Sequence, residues 1–60
     1  MTTKEIKNLV TEVNNLIKTN QFKEIDLPAL VRGLVRQEGY MVANLFILMY
    51  EKLFKLKIEL

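Results

Sequence analysis

Apolar residues recur at three- and four-residue spacing from the start of the chain: Ile6, Leu9, Val10, Val13, Leu16 and Ile17. That spacing draws one apolar stripe along a helix and leaves Lys4, Lys7, Asn8, Thr11, Glu12, Asn15 and Lys18 on the opposite face. The pattern predicts a first helix over residues 3–19. Thr2 and Glu5 stand at capping-box spacing, where hydroxyl and carboxylate each satisfy the other residue's backbone N–H. Met1 and Ile6 fall at the hydrophobic-staple positions around that box. Asn20 suits a left-handed cap at the far end.

A short connection, residues 21–25, follows, with Phe22 and Ile25 expected to tuck inward. Asp26 suits an N-cap, and Pro28 is tolerated in a first turn because its missing N–H would have no intrahelical partner. Leu27, Leu30, Val31, Leu34 and Val35 form the stripe of a second helix, over residues 27–37, with Arg32 and Arg36 one turn apart on another face. Gly39 ends it.

The third segment breaks the amphipathic pattern. Residues 40–50 contain one clearly polar residue, Asn44. Eleven residues are too few to cross a bilayer, which needs about 20, and Glu51, Lys52, Lys55, Lys57 and Glu59 prevent an extension. The reading is a third helix, residues 40–57, apolar nearly all round. Leu45, Leu48, Met49, Leu53, Leu56 and Leu60 make one stripe; Phe46, Tyr50, Phe54 and Ile58 make a second. From Phe54 to Leu60 the residues also alternate apolar and polar, the period of a strand that could pair with its copy across a dimer axis.

The expected fold is therefore a single all-α domain over 1–60: three helices, the third central, assembled as a homodimer or larger. Domains of sixty residues are marginal on their own and usually need a staple. With no cysteine and no histidine, the expected staple is another chain. The first two stripes can cover one side of the third helix. Asn44, Phe46, Ile47, Tyr50 and Phe54 are then expected to meet a second copy or another protein, since interfaces enrich aromatics. The alternative is that loops cover these residues as core. Asn44 either fixes register against its symmetry mate or reaches a nearby backbone carbonyl.

Candidate chemistry is thin. The chain lacks the histidine base and the cysteine and serine nucleophiles of most catalytic constellations. Its seven carboxylates are not clustered, and two glycines do not make a phosphate loop. The expectation is no enzyme, no cofactor and no metal. Arg32 and Arg36 are the only arginines, a candidate contact for an anion or an acidic partner, or a solvated face with local pairing to Glu38 or a neighbouring Glu. A cysteine-free chain with no signal-peptide pattern points to the cytoplasm. A membrane-surface helix over residues 40–60 ranks low, because that segment has no separate basic face.

Net charge is +2, with acids interleaved among scattered lysines, which argues against nucleic acid as the first reading. A recognition helix opening at Tyr40 would be too apolar to read base edges. From Phe22 onward, Leu30-Val31-Arg32, Gly39, Val42, Phe46, Tyr50 and Phe54 faintly resemble the ribbon-helix-helix repressors of Arc type. That resemblance implies an intertwined dimer whose paired strands enter the major groove. The chain departs from it in four ways. Glu24 and Asp26 stand in the would-be strand, the motif's first helix is a turn short, Met41 and Val42 replace polar residues, and an extra helix comes first. The expected function is thus a non-enzymatic protein-protein interaction module, a homo-oligomeric regulator, inhibitor or assembly factor docking on a larger protein. The alternative is a small dimeric nucleic-acid-binding regulator, ribbon-helix-helix-like or an RNA-binding helical hairpin.

Overall fold

The computed structural model describes residues 1–55 as three α-helices, α1 (Thr3–Lys18), α2 (Leu27–Glu38) and α3 (Tyr40–Phe54), with a 3-10 turn at Glu24–Asp26 leading into α2. No strand occurs among the described residues. Helix α3 packs against both α1 and α2, so it is the central element.

Local chemistry sets the helix ends. The capping box is complete: Thr2 N–H donates to Glu5 Oε1 at 2.9 Å, and Glu5 N–H donates to Thr2 Oγ1 at 3.2 Å. Hydrogen bonding from Thr2, its backbone N–H contributing most and its hydroxyl next, holds the Glu5 carboxyl below its ordinary pKa. At the other end Asn20 takes a left-handed φ of 61°. Asn20 N–H then reaches the Ile17 carbonyl at 3.1 Å and Gln21 N–H the Leu16 carbonyl at 2.8 Å, the paired bonds of a Schellman cap.

The entry to α2 differs from expectation. Asp26 occupies the cap position, but its carboxylate makes no capping hydrogen bond. Its backbone (φ −90°, ψ 1°) continues the 3-10 turn instead of extending, so the side chain is not folded back over the first turn. Ile25 does not tuck inward; it is 82% exposed, while Phe22 packs against the core.

One residue joins α2 to α3. Gly39 has φ 94° and ψ 171°, a region that only glycine occupies readily. Its N–H closes α2 on the Leu34 and Val35 carbonyls, and its carbonyl accepts from Ala43 N–H at 3.2 Å to start α3. At the far end Lys55, left-handed at φ 52°, stops α3 at Phe54. The expected helix ran to residue 57; Lys55 leaves the helical repeat, and residues 56 and 57 lie outside the described residues. The alternating segment's later residues, including Leu56, Ile58 and Leu60, lie outside the described residues.

The core draws on all three helices: Ile6, Val10 and Val13 from α1, Leu27 and Val31 from α2, and Ala43, Phe46 and Tyr50 from α3. Each set follows helical spacing. On α3 the aromatic stripe is the one that faces inward. Phe46 is fully buried and Tyr50 is 2% exposed. The Phe46 and Tyr50 rings stack at 5.9 Å, and Tyr50 meets Phe54 edge-on at 4.9 Å. Ile47 and Phe54 pack against this core, half-buried. Ala43, one turn earlier, adds little bulk to the same buried face.

Candidate interaction surface

The buried stripe corrects the expected interface. Phe46 and Tyr50 were expected to meet a second copy, and both are sealed inside this fold. Aromatic rings bury the most apolar area per residue, so the gain is largest when α1 and α2 close over them. Burial raises the pKa of the Tyr50 phenol, and the nearby Glu24 carboxylate raises it further.

Turning the rings inward turns other apolar residues outward. Met41 is 78% exposed and Leu48 62%. With exposed Asn44 and Lys52 they recur every three or four residues, so they share the outer face of α3, beside half-buried Leu45. Tyr40 (73%) and Leu53 (51%) add exposed apolar surface at the two ends of the helix. Helical periodicity showed that α3 has more apolar surface than two neighbouring helices can cover. Its nearly uniform apolar circumference concealed which side would be left over. Asn44 was singled out from sequence and lies on this outer face; Met41 and Leu48 were missed as surface residues.

Arg32 and Arg36 are both exposed, as their face on α2 implied. They line a shallow groove of about 390 Å³ with Val31, Val35 and Tyr40. Among the described residues, neither guanidinium has a hydrogen-bond or ion-pair partner. The expected pairing to Glu38 does not occur: that carboxylate lies 3.6 Å from the amino group of Met1. Tyr40 joins the groove because the single-residue turn at Gly39 starts α3 beside the last turn of α2. Sequence held the signal only as spacing, with Tyr40 four residues after Arg36 across a helix break.

No group of three or more His, Cys, Asp or Glu side chains able to hold a metal occurs among the described residues. No helix there is long and apolar enough to cross a membrane. The ribbon implied by the ribbon-helix-helix resemblance is replaced by the 3-10 turn at Glu24–Asp26. The chain matches no protein-family model, no curated protein and no solved structure.

Proposed function

We propose that the protein is a non-enzymatic protein-protein interaction module that works as a homo-oligomer, with the outer face of α3 as its contact surface. One observation carries the reading: the helix at the centre of the fold leaves Met41 and Leu48 largely exposed on the side away from the core. Grouped exposed apolar residues mark interaction surfaces, because their burial is favourable and roughly proportional to area. Asn44 sits within that face, where a polar residue fixes register against its symmetry-related copy. Two-fold pairing is the commonest closure for such a surface. A small regulator or assembly factor fits this pattern, its partner recognised through exposed helix surface.

The test is solution mass by light scattering across a dilution series, for wild type and for Leu48→Glu. Association in wild type that is lost in the well-folded variant supports the reading. A wild-type monomer at every concentration, or a variant that associates normally, refutes it. Tyr50 is not a useful position for this experiment, since a charge there would disrupt the core.

A further inference from the structure

The largest exposure among the described large apolar residues belongs to Ile25, outside α3. It projects from the 3-10 turn between two exposed carboxylates, Glu24 and Asp26, and the Asp26 carboxylate is not used as a helix cap. The turn is thus an apolar knob with an acid on either side. The groove along the middle and C-terminal half of α2 has the complementary character: Val31 and Val35 beside two guanidiniums that no described residue engages, with Tyr40 alongside.

We propose that the Glu24–Ile25–Asp26 turn of one copy seats in the Arg32–Arg36 groove of a second copy, Ile25 against Val35 and the carboxylates against the guanidiniums. Charge complementarity selects this occupant. A guanidinium fork matches a carboxylate through two parallel hydrogen bonds, and the pairing strengthens where apolar contact excludes water. The apolar groove wall favours a peptide knob over a nucleic-acid backbone, which offers phosphates but no aliphatic anchor. The knob precedes the first turn of α2, and the groove lies farther along it, over its middle and C-terminal half. Two copies with their α2 helices antiparallel across a two-fold axis would therefore form the contact twice. This inference rests on the reading of the protein as self-associating and adds a second, charged surface to the outer face of α3.

Reciprocal charge reversal tests it. One variant carries Arg32→Glu and Arg36→Glu; the other carries Glu24→Lys and Asp26→Lys. All four positions are exposed, and circular dichroism checks that both variants fold. Each variant alone places like charges together at both contacts and is expected to sediment as a smaller species than wild type. Their equimolar mixture restores opposite charges at both contacts and is expected to recover the wild-type mass, less so at high salt. The proposal is overturned if either variant associates like wild type, if the mixture stays dissociated, or if wild type is monomeric throughout. Leu48→Glu, run beside them, separates the two surfaces. If it alone dissociates while the charge variants do not, the α3 face stands and the knob-and-groove contact falls. If a nucleic-acid duplex binds wild type but not the Arg32→Glu/Arg36→Glu protein, and the mixture fails to recover mass, the groove serves phosphates instead.

Discussion

Phe46 and Leu48 are two residues apart on one helix and similar in hydrophobicity, yet the fold assigns them opposite fates. Phe46 is fully buried and stacked on Tyr50; Leu48 is 62% exposed. Truncating Phe46 to alanine removes the ring's transfer free energy and leaves a cavity that the helices only partly close, a loss of about 3–5 kcal/mol. Total stability for sixty residues is on the order of 3–9 kcal/mol. Phe46→Ala is therefore expected to remove a third or more of it, and at the lower end of that range to populate unfolded chains at room temperature. Leu48→Ala in dilute solution falls within about 0.5 kcal/mol of wild type, as exposed substitutions do. Urea denaturation followed by circular dichroism measures both. The low-concentration series reports the fold, and a second series at high concentration reports any contact Leu48 makes with another copy. The assignment is refuted if dilute Leu48→Ala loses as much stability as Phe46→Ala, since α3 would then be rotated with its aliphatic stripe inward.

The other positions test local devices. Gly39→Ala forces a Cβ onto a backbone at φ 94°, and although no atom lies within 4 Å of that Cβ, the conformational strain is expected to lower stability by about 1–3 kcal/mol in the same urea assay. Thr2→Ala breaks the capping box and is expected to cost about 1 kcal/mol, with loss of helical signal at the start of α1. The lowered Glu5 pKa means the ionised carboxylate is favoured in the folded state. Its contribution is present above the ordinary value of 4.5 and disappears as pH falls through the lowered one, so an acid titration of Glu5→Gln, which has no titrating carboxyl there, should show a shallower decline than wild type. Tyr50 behaves in the opposite sense. Its raised pKa keeps the folded phenol protonated after the unfolded one ionises, so stability drops as pH rises above 10.0 towards the folded value. Absorbance titration of a Tyr40→Phe protein should show one late-ionising phenol, moved earlier by Glu24→Gln.

The elements of this fold were legible in the residues because their signals are local. A stripe at helical spacing, the Thr2–Glu5 pair, Asn20 and Gly39 each act within a few residues of themselves, and the structure uses each one for that purpose. The centrality of the third helix was also readable, since only a helix enclosed by neighbours tolerates an apolar circumference. The inward or outward direction of each apolar side chain was not. With apolar residues on every side of α3, sequence periodicity leaves its rotation nearly undetermined. The choice came from packing: the rings of Phe46 and Tyr50, with Ala43 on the same side, against the stripes of α1 and α2. Ile25 went outward for a related reason. The backbone of a 3-10 turn set its direction, and no periodic stripe existed there to oppose it. The Arg32–Arg36–Tyr40 groove is likewise tertiary, created where a one-residue turn folds the start of α3 against the end of α2. Sequence alone determined which segments are helices and where the first two stop, because hydrogen bonding and capping are short-range. Tertiary structure alone decided which face of the central helix is core and which is surface, because burial depends on what the rest of the chain can cover.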